Sequence, residues 1–407
     1  MVQEKTTPED LQHRYARAVS LHEQGELARA IALYEELVRE VPDGDLIHYN
    51  LGLAYYDHQQ YGRAGSCFSR AAAINDQEAD YWYNLGLSRK QEERYPEAVS
   101  AYGRALRLRP DDRETLYNLG CCCKDCGALD HAVEVYEHLL ELDPGYIPAL
   151  NNLAYIVHLQ GDLRRAESLY QAILESAPEH INAGYMAAAL GGEQPAAPPQ
   201  AYVRDLFDSY SQDFEGNLVE DLAYQVPERL WQLFNQGPRR ERYDYLLDLG
   251  CGTGLCGVHF RPCCHYLEGV DLSGRMIARA REKGLYDSLV EGELLSHLQR
   301  TTPGFDLVIA GDVCIYLGDL APLMATIAAR GSREVQFCFS VEAFQVKGQG
   351  KGQGWELRPS GRYGHSYDYI LDLARQSGLS LCGFEQTWLR QERGKAIDGF
   401  LFFLGRA

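Results

Sequence analysis

Two hydrophobic periodicities divide the chain. Through the first half, apolar residues recur at helical spacing in blocks thirty-four residues long: YNLG begins at Tyr49, Tyr83 and Tyr117, and NNLA at Asn151. The same interval links Ala30, Ala64, Ala98, Ala132 and Ala166, and also Tyr34, Phe68, Tyr102, Tyr136 and Tyr170. Small residues allow close helix approach and the aromatics fill the space beside them. Pro42, Pro110, Pro144 and Pro178 end the units, with Asp76 in that place in the second, because proline cannot continue a helix. From Tyr243 the pattern changes to short apolar runs separated by helical stretches. The runs Tyr245–Asp248, Tyr266–Asp271, Ser288–Glu291, Phe305–Ala310, Glu334–Ser340, Ser380–Phe384 and Phe400–Leu404 predict seven strands. Alternating strands and helices imply a doubly wound, mainly parallel α/β sheet with ligands at the carboxyl ends of its strands.

The thirty-four-residue unit resembles the tetratricopeptide repeat, in five copies over residues 11–180. This implies an all-α superhelix of stacked helix pairs with a concave, binding face. Asn50, Asn84, Asn118 and Asn152 recur at one position, each preceded in the first three cases by Tyr49, Tyr83 or Tyr117; Tyr15 holds that tyrosine position in the first unit. The column resembles the asparagine ladder of O-linked N-acetylglucosamine transferase, which implies that it grips a protein or peptide backbone. The alternative is hydrogen bonding between repeats. CCCKDC at Cys121–Cys126 contains a CxxC, but no second pair lies nearby to complete a tetrahedral site, so these residues read as core. A capping helix from Ile181 to Leu190 and the tract GGEQPAAPPQ, residues 191–200, read as cap and linker, with a second domain over 201–407.

The second half opens on YLLDLGCGTGLCG, Tyr245–Gly257, with four glycines in eight positions. Asp248, Gly250, Gly252 and Gly254 form DxGxGxG rather than the GxGxxG of dinucleotide folds, although alternation alone separates the two weakly. Asp271, at the end of the second strand, suits ribose hydroxyls in either class. DLGCGTG, GVDLS, EGELL and FDLVIAGDV are similar to the ordered motifs of class I S-adenosylmethionine-dependent methyltransferases, a Rossmann-like fold. FDSYSQDFEGNLVEDLAYQVP, GDVCIYLGDL, FSVE, RPSGRYGHS and LRQERGKAIDGF resemble a bacterial group of predicted methyltransferases fused to tetratricopeptide repeats.

That resemblance implies S-adenosylmethionine as cofactor. Gly250, Gly252 and Gly254 would let the backbone pass against it, and Asp248 would orient the loop or accept from its amino group. Asp271 would hold the ribose, Leu272 and Met276 would flank the adenine, and Glu293, or else Glu291, would lie near the adenine amino group. Asp312 and Val313 would lie where methyl meets acceptor. On the acceptor side, Tyr316 and Arg362 are candidates for substrate binding, and His365, Tyr363 and Glu342 for catalysis. Phe207, Tyr210 and Phe214 form either the underside of a lid, with Tyr210 against substrate, or packing. No NPPY or DPPY follows the fourth strand, which disfavours the enzymes that use it. Alternatives are a small-molecule acceptor with repeats serving assembly, or a scaffold with an inactive fold.

Composition sharpens this outline. A net charge of −19 argues against nucleic acid as main partner. No run of roughly eighteen apolar residues suggests a membrane span, and the first residues lack a leader pattern, so a cytoplasmic location is expected. Twelve cysteines, several adjacent, fit reduced thiols. Cys251, Cys256, Cys263 and Cys264 with His265 are divided between loop, helix and strand, and no metal is expected.

Overall fold

The computed structural model describes residues 7–210, 223–301, 304–345, 354–392 and 394–406. Two compact units divide after Ala177. The first contains ten helices: α1 (Pro8–Glu23), α2 (Leu27–Glu40), α3 (Asp45–Asp57), α4 (Tyr61–Ile74), α5 (Ala79–Gln91), α6 (Tyr95–Leu108), α7 (Arg113–Asp125), α8 (Leu129–Leu142), α9 (Ile147–Gln160) and α10 (Leu163–Ser176). They pair and stack as tetratricopeptide repeats. The glycine in the first helix of the second, third and fourth repeats has a packing cause. A Cβ on Gly52, Gly86 or Gly120 would lie 2.6, 2.5 or 2.5 Å from the ring of Phe68, Tyr102 or Tyr136 in the second helix of its own repeat. Cys121, Cys122 and Cys123 are buried on α7 as core residues.

The second unit begins with α11 (Ile181–Gly191), α12 (Gln200–Tyr210) and α13 (Val226–Gln236). Its sheet is built from β1 (Tyr243–Leu249), β2 (Cys264–Asp271), β3 (Ser288–Glu291), β4 (Leu307–Ala310), β5 (Gln336–Ala343), β6 (Trp355–Leu357), β7 (Tyr363–His365), β8 (Leu379–Glu392) and β9 (Lys395–Arg406). Covering it are α14 (Leu255–Phe260), α15 (Gly274–Glu282), α16 (Leu294–Arg300), α17 (Ala321–Arg330) and α18 (Tyr367–Gln376). The strands run β3-β2-β1-β4-β5 in parallel, and β9 and β8 follow antiparallel. Beyond β5's pairing with β9, its last residues Glu342 and Ala343 pair with β7, which carries β6. Nine strands thus replace the seven expected among the described residues: the β6–β7 hairpin is too short for a periodic signal.

The tract read as a linker is bonded into this unit. Gln194 places its Oε1 on Leu357 N at 2.6 Å and its Nε2 on Leu357 O at 3.3 Å. Ala196 O accepts from Gly318 N and Asp319 N at 3.0 and 3.2 Å, and Tyr185 Oη donates to Gly361 O at 3.0 Å. No helix among the described residues is long and apolar enough to cross a membrane.

Gly86→Ala should lower the unfolding free energy by about 1–3 kcal/mol through overpacking. Gly103→Ala, where a Cβ meets nothing within 4 Å, should leave it unchanged or raise it by up to about 1 kcal/mol. Urea unfolding of both variants checks the contrast; equal effects would remove the packing explanation.

Candidate functional site

The loop after β1 turns on three left-handed glycines, Gly250, Gly252 and Gly254, at φ of 63°, 53° and 91°. Their surroundings differ. A Cβ on Gly250 would lie 2.4 Å from Val313 Cγ2, so this glycine lets the loop close on the turn after β4. On Gly252 a Cβ would meet nothing within 4 Å, so that part of the loop faces open space. Gly254 instead belongs to a notch for Tyr286: the Cβ positions of Gly254, Gly257 and Gly269 lie 3.0, 2.4 and 2.9 Å from that side chain. The admitted phenol donates to Asp248 Oδ2 at 2.7 Å. Tyr286 has no local sequence signal; only the surplus of glycines around it hints at a bulky neighbour.

Asp248 is fully buried, and among the described residues its Oδ1 has no hydrogen-bond partner. Burial pushes its carboxyl up to about 7, partly opposed by the Tyr286 hydrogen bond. Asp271 locks the loop to the tip of β2, accepting from Gly252 N and Ser273 N, both at 2.9 Å. Burial raises its carboxyl as well, against those amide bonds. Beside it, Ser273 Oγ donates to Asp208 of α12, and Arg275 Nη1 reaches Asp208 O at 3.0 Å. Phe207, one residue earlier, meets the Tyr316 ring edge-on at 5.2 Å. This helix therefore touches both the β2 tip and the turn after β4. The Tyr210 side chain and Phe214 lie outside the described residues.

Other expected contacts divide. Leu272 is partly buried beside Asp271, whereas Met276 is fully buried on the inner face of α15. Glu293 caps its own helix, accepting from Leu295 N and Ser296 N at 2.9 and 2.6 Å. Glu291 is the acid beside the loop after β2: its carboxylate comes within 2.6 Å of the Cβ position of Gly274.

At the carboxyl ends of β4 and β5 lies a charged cluster. Asp312, at φ 60°, donates its N–H to Ser340 Oγ at 2.7 Å and receives Arg390 Nη1 on both carboxylate oxygens at 3.2 and 3.0 Å. Burial raises the Asp312 carboxyl while Arg390 and Arg362 oppose it. Glu342 is held by Arg390 on one oxygen and by Arg358 on the other, at 2.7 Å for the latter. Arg362 pairs with Glu392, and its Nε donates to Tyr316 Oη at 3.4 Å. Tyr224 joins from the other side, its Oη 3.7 Å from the Cβ position of Gly311. Of these, Arg358, Arg390, Glu392 and Tyr224 escaped the sequence reading.

Three expected catalytic residues are corrected. His365 is fully buried, its Nε2 donating to Gly318 O at 3.0 Å, and burial holds its imidazolium down to about 4. It fastens the turn after β4. Tyr363 is equally buried and donates to Pro195 O at 2.8 Å, holding the 191–200 tract. Glu342 lies between two guanidinium groups and is no free base.

In the repeats, the asparagine column is bonded sideways. Asn50 Nδ2 donates to Tyr15 Oη, Asn84 Nδ2 to Tyr49 Oη at 3.3 Å and Asn118 Nδ2 to Tyr83 Oη at 3.4 Å, each reaching the preceding repeat. Asn84 and Asn118 also donate to their own helices, and Lys90 Nζ donates to Asn118 Oδ1 at 2.9 Å. Asn152 keeps the series, bonding to Tyr117 of the preceding repeat, and also donates to Tyr136 Oη at 3.1 Å. Among the described residues, no three His, Cys, Asp or Glu converge as metal ligands.

Known proteins align with both halves. Residues 247–330 match the family described as a methyltransferase domain. Tetratricopeptide-repeat families match residues 20–59, 79–112 and 125–190. An uncharacterized methyltransferase of Schizosaccharomyces pombe is 40% identical over 68 residues, 16% of this chain and 26% of that protein. The chain thus spans about a quarter of the length of that curated relative. Among solved structures, YrrB, described as a TPR protein with an unusual peptide-binding site, aligns with 45% of this chain and 92% of its own at 24% identity and a TM-score of 0.41. Magnesium protoporphyrin IX methyltransferase (ChlM) from Synechocystis PCC 6803 with bound SAH aligns with 51% of this chain and 100% of its own, at 16% identity and a TM-score of 0.40.

Asp248 gives a pH test. Its carboxyl rises from 3.8 to about 7 on folding, so the folded chain holds the proton more tightly. The associated stability is fully present below about pH 4 and is lost as pH rises through about 7. Urea unfolding should show the wild type losing stability relative to Asp248→Asn across that interval; parallel curves would show that Asp248 is not buried as a neutral acid.

Proposed function

We propose that this chain, which joins tetratricopeptide repeats to a methyltransferase domain, transfers a methyl group from S-adenosylmethionine to an acceptor, with a protein or peptide partner bound by the repeats. The observation that carries the reading is the pairing of an open glycine loop with a buried, half-satisfied carboxylate: among the described residues nothing lies near a Cβ on Gly252 and Asp248 Oδ1 has no partner. A cationic ligand with an amino-acid tail fits both. An unpartnered buried carboxylate oxygen favours an ammonium donor, and bare backbone admits a ligand too close for any side chain. When bound, the cofactor supplies an electrophilic methyl group on a sulfonium.

The chain's own residues do the placing. Asp248 receives the ammonium of the methionine part, and Asp271 is set to take ribose hydroxyls on the outer lone pairs of its carboxylate. Glu291 is the better placed acid near the adenine side, since Glu293 is occupied with its cap. Asp312 and Val313 bound the exit toward the acceptor. Tyr316 and Arg362 form the acceptor wall, and Phe207 on Tyr316 excludes water from it. Alignment of this kind accounts for several kcal/mol of barrier lowering on the order of effective-molarity effects. No general base is assigned among His365, Tyr363 and Glu342, because each is already committed.

For the repeats, the asparagine–tyrosine bonds narrow how a peptide is held. The amide N–H groups of Asn84 are taken, so its Oδ1 is the atom that receives a peptide N–H.

Calorimetry with S-adenosylmethionine tests the cofactor assignment. Saturable binding is expected, weakened about tenfold or more by Asp271→Ala, the loss of a charge-assisted contact of about 1.5–3 kcal/mol. Absence of heat from the wild type at about millimolar cofactor, the upper end of ordinary KM values, would overturn it. For the partner, cell lysate incubated with labelled cofactor should show a labelled protein that dims when Asn84→Ala and Asn118→Ala are combined. Undiminished label would remove the groove from the proposal.

A further inference from the structure

One guanidinium ties together the carboxyl ends of strands that come from distant parts of the second unit. Arg390, on β8, has 1% of its surface exposed. Its Nη1 meets both oxygens of Asp312 after β4, at 3.2 and 3.0 Å. Its Nη2 meets Glu342 of β5, and its Nε meets Glu392 Oε1 at 2.7 Å. Through Glu392 the network continues to Arg362 and Tyr316; through Glu342 it continues to Arg358.

The strand is shaped to deliver that side chain. The register of β8 on β9 slips between Trp388 and Arg390, and such a bulge re-aims the residues around it. Leu389 takes the space opened on β9 by Gly399, whose Cβ would lie 2.3 Å from Leu389 Cγ. Leu389 and Arg390 are consequently both buried although adjacent in the chain. The residue Arg390 grips is itself under constraint. Asp312 sits at φ 60°, a left-handed conformation that a non-glycine residue keeps only where its surroundings enforce it, here Ser340 Oγ on its N–H and Arg390 on its carboxylate.

Stability is a poor explanation for such a network, because a buried ion cluster is commonly no more stable than well-packed apolar side chains of its size. What the cluster does supply is fixed geometry at the functional edge. Val313, next to Asp312, closes on Gly250 of the glycine loop, and Tyr316 follows three residues later. We infer that Arg390 is a positioning residue for methyl transfer: by clamping Asp312 against Glu342 and Glu392, it fixes the turn 312–316 between the cofactor loop and the Tyr316–Arg362 wall. This rests on the methyltransferase reading above.

The test uses the full chain. Arg390→Lys keeps a cation but loses the three planar nitrogens that reach Asp312, Glu342 and Glu392 at once. S-adenosylmethionine affinity by calorimetry should stay within about threefold of wild type, while the initial rate of tritiated methyl incorporation into lysate protein falls about a hundredfold, as misplacement by an ångström commonly does. Arg390→Met combined with Asp312→Asn and Glu342→Gln, which removes charge of both signs, should fold and show the same loss. An incorporation rate within about threefold of wild type for Arg390→Lys would overturn the inference. So would a rate, affinity and thermal midpoint that all fall together, since that is the mark of a purely structural arginine. Wild type that neither binds nor transfers removes the functional reading and this inference with it; wild type that does both, beside an unimpaired Arg390→Lys, removes this inference alone.

Discussion

A buried carboxyl with a single phenol for a partner is the constraint around which the second unit is built. Asp248 is the penultimate residue of β1, the strand between β2 and β4, so its neighbours in space are the tips that carry Asp271 and Asp312. Tyr286 reaches it only because Gly254, Gly257 and Gly269 leave a ring-sized notch. The loop that results cannot bend elsewhere. Asp271 then fixes it from β2 through the Gly252 amide, and Val313 fixes it from β4. Three acids are brought to one edge of a sheet, each burdened by burial, and the guanidinium contributed by β8 answers the third.

What was legible in the sequence follows the range over which each signal acts. The repeats declared themselves because every unit poses the same packing problem, a small residue sixteen positions before an aromatic: glycine in the second to fourth units, as in Gly86 and Tyr102, and alanine at Ala18 and Ala154. The glycine loop and the parallel strands before it were visible for a like reason: both are local, apolar and bounded by turn residues. Arg390 was hidden because, between Leu389 and Gln391, an arginine reads as a solvated strand residue; its partners Glu342 and Asp312 lie 48 and 78 residues away. His365 erred in the opposite direction. Its ring type suits proton transfer, yet the carbonyl of Gly318, 47 residues earlier, and complete burial decide what it does. β8 and β9 proved longer than their apolar runs, because their outer stretches alternate with polar residues that face solvent.

The asparagine column ties neighbouring repeats together, and in the proposed reading it also lines the partner groove. Each Asn–Tyr bond spans 35 residues and crosses from one repeat to the one before it. A groove whose amides are already tied to neighbouring phenols is held rigid before any partner arrives, and preorganisation of that kind lowers the entropy lost on binding. Asn152 continues the series to Tyr117 and adds contacts to Tyr136 Oη and Cys121 Sγ.

The bonds between Gln194 and Leu357 have a consequence for solubility. Among the described residues β6 pairs with β7 on one side only, and an unpaired strand edge invites another chain to add to the sheet. A side-chain amide carries the same donor and acceptor as a peptide group, and Gln194 presents both to the N–H and carbonyl of Leu357. A single glutamine in a proline-rich segment thus stands in for a neighbouring strand. Proline around it ensures that the substitute cannot itself be extended, so the sheet ends there without exposing a template for aggregation.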